Sequence, residues 1–265
     1  MFNVKKVTTL ALLLLTIGVA GAAVTYQSFA DSHSVTEERV FDESITGLIV
    51  ESDNSKIEIS PSADQSASVE FLYDTSRKSR YTLEATVEDG ELRVKVKEKV
   101  LQFFNFDFNI KSFTTKIYLP EQTYESIMAK TENGAITIDD ITAESVKAES
   151  TNGKVLFRNL NTENIIAKTE NGKIKLQAVQ GELQAKATNG KIELEADSID
   201  RTINFETVNG KIVIQTDKKP VNTEIHAEVV NGSANIFGEK MNHTNIGDGE
   251  NKVNLRTVNG RITVE

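Results

Sequence analysis

The sequence predicts an all-β fold, specifically a β-solenoid, and three observations predict it. Asn-Gly pairs recur at a near-constant spacing, apolar and polar residues alternate on both sides of each pair, and no long helical periodicity occurs after residue 31.

The pairs are Asn133-Gly134, Asn152-Gly153, Asn171-Gly172, Asn189-Gly190, Asn209-Gly210, Asn231-Gly232 and Asn259-Gly260, at intervals of 19, 19, 18, 20, 22 and 28 residues. They hold 7 of the 15 glycines, so glycine here marks a repeated position rather than scattered loops. Six residues before each Asn stand Ile127, Val146, Ile165, Leu183, Ile203, Ile225 and Val253, and four before stand Ala129, Ala148, Ala167, Ala185, Phe205, Ala227 and Leu255. Three after stand Ile136, Val155, Ile174, Ile192, Ile212, Ala234 and Ile262, and five after stand Ile138, Phe157, Leu176, Leu194, Ile214, Ile236 and Val264. None of these 28 positions is polar, while residues such as Lys130, Glu149 and Arg256 fall between them. A period of two means a strand with one buried and one wet face.

Asn-Gly is also the strongest two-residue hairpin signal, because both residues accept positive φ. Phase alone therefore fits a meander of hairpins as well as a solenoid. Two features favour the solenoid. The same residue class recurs at equivalent positions, as it must when like stacks on like, and the return path between repeats lacks the second turn a meander needs. That path carries its own aliphatic instead: Ile141, Leu160 and Val179 in the first three repeats. Each rung of about 19 residues is expected to have two main strands and a short third side, with the Asn residues stacked as a structural turn ladder. Seven rungs make a rod on the order of 30 Å long.

Residues 40–120 lack the pair but keep the strand pattern, in Leu48-Ile49-Val50, Ile57-Glu58-Ile59, Val69-Glu70-Phe71 and residues 81–87 and 92–96. Asp89-Gly90 joins the last two, and Ser60-Pro61 and Leu119-Pro120 mark strand ends. Residues 40–120 are expected to form irregular first rungs or a cap, and residues 121–265 the Asn-Gly repeats, together one ectodomain over 40–265.

The first thirty residues read differently. Lys5 and Lys6 precede an uncharged run over residues 7–30, the arrangement of an export signal. Residues 7–24 reach the roughly 18 to 20 apolar residues that span a bilayer, whereas Ser28-Phe29-Ala30 has the small-x-small form of a cleavage site. Residues 1–30 are thus a signal or transmembrane anchor. Retention would give a single-pass protein of the cell membrane with an extracytoplasmic C-terminal domain, and cleavage after Ala30 a secreted or wall-associated one. Residues 31–39, polar and aperiodic, read as a tether.

Composition narrows the chemistry. The chain has no Cys, which excludes disulfides, thiolate nucleophiles and Cys-ligated metals, and only three separated histidines, His33, His226 and His243. No cofactor and no metal are expected. Without Lys5 and Lys6 the 30 basic residues become 28 against 39 acidic ones, a formal charge of −11 on the exported part. Such a balance argues against nucleic acid, which needs clustered Lys and Arg.

The order of a membrane segment, short strands, an IYLPEQ strand end at residues 117–122 and T-x-N-G-x-I-x-I repeats, as at 131–138 and 169–176, resembles the bacterial toast-rack, or adhesin-like, family, which includes LiaG-like envelope proteins. The resemblance covers about residues 40–265. It implies a right-handed single-stranded β-helix displayed outside the membrane, in proteins linked to envelope stress systems, and it offers no catalytic residues to carry over. The 28-residue last interval departs from the pattern and points to an inserted loop over 238–251.

Three segments are candidate sites. Residues 101–113 hold 5 of the 12 Phe: Phe104, Phe106 and Phe108 alternate as one face, Phe103 falls on the other, and the segment is either a cap strand or a contact patch. Gly247-Asp248-Gly249-Glu250-Asn251 offers two acids between glycines but no calcium-binding repeat. Asp139, Asp140, Glu193 and Glu195 are adjacent acids of the kind glycoside hydrolysis needs in pairs, at positions where surface charges also belong. The expected function is a non-enzymatic binding or signalling accessory in the envelope stress response, with an envelope or membrane protein as partner. The alternative is an adhesin-like module binding surface polymers or host material, and a glycan-processing enzyme comes third.

Overall fold

A computed structural model describes residues 34–74, 81–98 and 113–265. Among them every element is a strand: β1 (Ser34–Phe41), β2 (Gly47–Ser52), β3 (Ser55–Pro61), β4 (Ala67–Asp74), β5 (Tyr81–Glu88), β6 (Glu91–Glu98), β7 (Phe113–Leu119), β8 (Thr123–Thr131), β9 (Ile136–Asp139), β10 (Thr142–Ser150), β11 (Val155–Arg158), β12 (Asn161–Thr169), β13 (Ile174–Gln177), β14 (Glu182–Ala187), β15 (Ile192–Ala196), β16 (Ile203–Thr216), β17 (Thr223–Ile236), β18 (His243–Ile246) and β19 (Asn251–Val264).

The strands build two parallel walls around one core, a solenoid-like arrangement. One wall runs β6, β2, β8, β10, β12, β14, β16, β19, β17. The other runs β7, β3, β9, β11, β13, β15 and then the second halves of β16, β19 and β17. Nine parallel strands at about 4.8 Å give a stack about 38 Å long. Registers are in phase: Thr123 lies opposite Thr142 and Thr142 opposite Asn161. All 28 apolar positions flanking the Asn-Gly pairs are in the core, at 3% exposure or less. The return-path aliphatics Ile141, Leu160 and Val179 are buried with them, and Ile199 continues the row.

Rung order departs from chain order at both ends. The rung of β2 and β3 sits between that of β6 and β7 and that of β8 and β9. At the far end β19, the last strand in sequence, is inserted between β16 and β17. Antiparallel strands close the stack: β5 on β6, β4 on β7 with β1 on β4, and β18 on the first residues of β17. The Asp89-Gly90 turn joins β5 to β6 with φ of 50° and 79°, the left-handed pair a tight hairpin requires.

Three sequence expectations need correction. The tether read over 31–39 is, from Ser34, part of β1, whose ladder with β4 needs only backbone groups and so left no apolar period to read. Residues 40–120 contain a regular rung, β2 with β3, as well as a cap. The third correction concerns the Asn-Gly pairs. None of the seven asparagines has positive φ, and among the seven glycines only Gly232 does. Glycine is needed for close approach instead: a Cβ at Gly153 would overlap the Gly134 carbonyl oxygen, one at Gly172 that of Gly153, and so on through the stack. The pairs are therefore stacked corners and not hairpin turns. Phe103, Phe104, Phe106 and Phe108 lie outside the described residues, as does the 1–30 segment. Phe113 is described, and it packs in the cap with its ring centroid 4.1 Å from that of Tyr81.

Candidate functional site

Many polar groups of the stack are paired with neighbouring rungs. The asparagine amides form one continuous ladder: Asn133 Nδ2 donates to Asn54 Oδ1 (2.7 Å), Asn152 to Asn133 (2.7 Å), Asn171 to Asn152 (2.9 Å), Asn189 to Asn171 (2.9 Å), Asn209 to Asn189 (2.8 Å), Asn259 to Asn209 (2.8 Å) and Asn231 to Asn259 (2.9 Å). Asn54 is an eighth member that the Asn-Gly search could not find, because Ser55 follows it. Beneath this runs a buried hydroxyl row. Ser150 Oγ accepts the Gly153 N–H (2.8 Å) and donates to the Gly134 carbonyl (2.9 Å), and Thr131, Thr169, Thr207 and Thr257 donate to the equivalent carbonyls.

The acids named as candidates are committed in the same way. Asp139 takes a two-pronged contact from Arg158 (2.7 and 2.5 Å), and Asp140 accepts from Asn159 Nδ2 (2.9 Å). Glu193 pairs with Lys173 and Lys191, and Glu195 with Lys175 (2.7 Å) and Gln177 (2.5 Å). Burial pushes Glu193 up, but the two lysines outweigh it and hold the group below the usual carboxylate range. Lys175 chiefly does the same for Glu195. A general acid for glycoside hydrolysis needs the opposite shift. In the 247–251 loop, Glu250 accepts from Asn222 Nδ2 (2.9 Å) and Asn251 Nδ2 donates to the Asn222 carbonyl (2.7 Å), so the loop is fastened to the start of β17. Among the described residues no group of three or more His, Asp or Glu could hold a metal ion.

A polar groove lies on the outer surface of the long-strand wall at its C-terminal end. Gln184, Asn204, Asn254 and His226 stand side by side on β14, β16, β19 and β17, and Lys186, Glu206, Arg256 and Glu228 form the next row. Together they line a groove of about 320 Å³. Asn254 Nδ2 donates to Asn204 Oδ1 (3.0 Å), Lys186 pairs with Glu206 (3.1 Å) and Arg256 with Glu228 (3.6 Å), all exposed. A second depression of about 650 Å³ on the return side contains Arg201, whose guanidinium donates to the Val179 (2.6 Å) and Ser198 (2.7 Å) carbonyls and is thereby used in holding the loop.

A family model for Toastrack DUF4097 matches residues 45–169 and 129–265. The chain belongs to the Toastrack family. No curated protein matches it. Among solved structures it is similar to a proposed adhesin from Bacteroides fragilis (12% identity, 88% of this chain and 97% of that one, TM-score 0.48). It is also similar to a proposed lipid-binding protein from Parabacteroides distasonis (15%, 87% and 97%, TM-score 0.42) and a proposed cell adhesion protein from Clostridium sporogenes (17%, 88% and 99%, TM-score 0.36).

The structure thus brings the predicted Asn ladder together and disperses the candidate acids among ion pairs. The groove residues were not predictable as a set. Asn204 and Asn254 are 50 residues apart and become neighbours only because β19 enters the stack between β16 and β17.

Proposed function

We propose that this protein is a non-enzymatic binding module displayed outside the cell membrane, acting as an accessory in the cell-envelope stress response through contact with an envelope or membrane protein. In this reading residues 1–30 anchor or export the chain, and residues beyond them form a right-handed single-stranded β-helix with about 19 residues per rung. The observation that carries the binding role is the groove over β14, β16, β19 and β17, where outward amides and charges stand at strand spacing on a rigid wall. A rigid array lowers the ordering cost of binding an extended partner. The amides of Gln184, Asn204 and Asn254 also suit a hydroxyl-bearing surface polymer, which favours the adhesin-like role as the second reading.

The test is capture from solubilised membranes by the tethered full-length protein and by its Asn204→Ala/Asn254→Ala variant. Loss of two exposed hydrogen-bonding amides should reduce capture of membrane-protein components roughly tenfold with the melting temperature nearly unchanged. Unchanged capture would remove the groove as the contact site, and enrichment of wall polymer alone would favour the adhesin-like role.

A further inference from the structure

Seven Asn-Gly pairs in one chain pose a chemical problem. In an Asn-Gly dipeptide the glycine nitrogen, unhindered by a side chain, can attack the asparagine side-chain carbonyl and expel ammonia. The stack opposes this in three ways. The ladder holds the Asn amide from both sides, a hydroxyl two residues before the Asn engages the attacking N–H at Gly134 and Gly153, and the rung above covers the glycine. Asn133 and Asn152 have all three: each amide both donates and accepts in the ladder, the Gly134 and Gly153 N–H groups are bonded to Thr131 Oγ1 (3.2 Å) and Ser150 Oγ (2.8 Å), and both glycines are buried. Asn189 lacks one, because Ala187 stands where the hydroxyl would be, but its amide is still held from both sides and Gly190 is half-buried.

Asn231 lacks all three. It ends the ladder, so its Nδ2 donates to Asn259 while its Oδ1 has no partner among the described residues. Val229 occupies the hydroxyl position. Gly232 is exposed, unlike the other six glycines of the pairs, because β17 is the last strand of the stack and the antiparallel β18 covers only Thr223 to His226.

We propose that Asn231 is a site of spontaneous covalent self-modification, deamidation through a succinimide. The Gly232 backbone nitrogen bonds to Asn231 Cγ, the Cγ–Nδ2 bond breaks, and the former Gly232 amide proton leaves with the nitrogen as ammonia. Water then adds across one or other imide C–N bond, giving aspartate or isoaspartate at this position. Either product replaces the side-chain amide N–H that donates to Asn259 Oδ1 by a carboxylate, which only accepts, so the terminal ladder bond is lost. Isoaspartate also lengthens the backbone of β17 by one carbon and breaks its register with β19. The modification would therefore loosen the terminal rung and leave the interior of the stack intact.

Incubation of the folded full-length protein in mildly alkaline buffer, followed by peptide mapping by mass spectrometry, tests this. Each missing hydrogen bond raises the population of the open, reactive conformer by roughly fivefold. The expected order is Asn231 fastest, then Asn189, then Asn133 and Asn152. In urea, where every pair has the same glycine neighbour and no ladder, the differences should collapse. Val229→Thr, which restores the hydroxyl, should slow Asn231 severalfold. Equal rates at all seven pairs in the folded protein, or an interior pair reacting before Asn231, would overturn the proposal, and the wild-type comparison decides it even if the variant folds poorly.

Discussion

At Gly153 the chain runs so close to the rung before it that an added Cβ would overlap the Gly134 carbonyl oxygen. Positive φ, the usual reason for glycine after asparagine, plays no part there. The distinction has a measurable consequence. Gly153→Ala cannot be relieved by a rotamer change, since the obstacle is backbone, and should destabilise the protein by about 1 to 3 kcal/mol in urea unfolding. Asn152→Ala removes two exposed ladder bonds and leaves their partners free to find water, so it should cost about 1 kcal/mol. A Gly153→Ala variant milder than Asn152→Ala would contradict the close-approach account. The pairing of these two residues was legible in the sequence, but the reason for glycine was not, because φ and inter-rung distance leave the same letter.

At the scale of elements, strands were the most readable feature. The alternation around each Asn-Gly pair fell on buried positions throughout, because one face of every strand meets the common core. The link between β16 and β17 was not readable. It is organised by Asp200, whose Oδ1 accepts from the Val221 N–H (3.0 Å), the Asn222 N–H (2.9 Å) and Thr223 Oγ1 (2.8 Å), while Oδ2 accepts from Ser198 Oγ (2.9 Å). Burial pushes the Asp200 carboxyl up, but these donors together outweigh it and hold the group below the usual carboxylate range. A carboxylate with a depressed folded pKa contributes stability that is present above its unfolded pKa and is lost as pH falls through the folded value. Acidification should therefore loosen the 217–222 loop before the walls. Asp200→Asn should reproduce that loosening at neutral pH, at about 1 to 2 kcal/mol, seen as faster hydrogen exchange at Val221 and Asn222. Unchanged exchange at those two amides would assign the loop's order to other contacts.

For the whole molecule the decisive feature is that β2 with β3 and β19 are inserted strands. Deleting residues 251–265 would trim the end of a sequentially wound rod and do little more. Here it removes the strand between β16 and β17, leaving the row of Phe205, Ile212 and Ile214 without a neighbour on that side. The truncated chain should lose cooperative melting of its C-terminal third, measurable by circular dichroism and by loss of dispersed amide resonances from β16 and β17. A truncation that kept the full-length melting temperature would argue for sequential winding. The insertion also creates the groove, since it sets Asn254 and Arg256 between partners contributed by β16 and β17.

Local period determined what local period can encode: strands, their buried faces, the corner at each Asn-Gly pair, and membership of one repeating stack. These depend on residues within about one rung of each other, and solvent exclusion reads them directly. The order of the rungs, the eighth asparagine of the ladder and the groove were decided by the tertiary structure. Parallel strands of one pattern are interchangeable as neighbours, so the alternation of apolar residues specifies that a strand stacks and leaves open which strand it stacks upon. Only the folded chain makes that choice, and both ends of the resulting rod are closed by antiparallel strands, β4 and β5 at one end and β18 at the other.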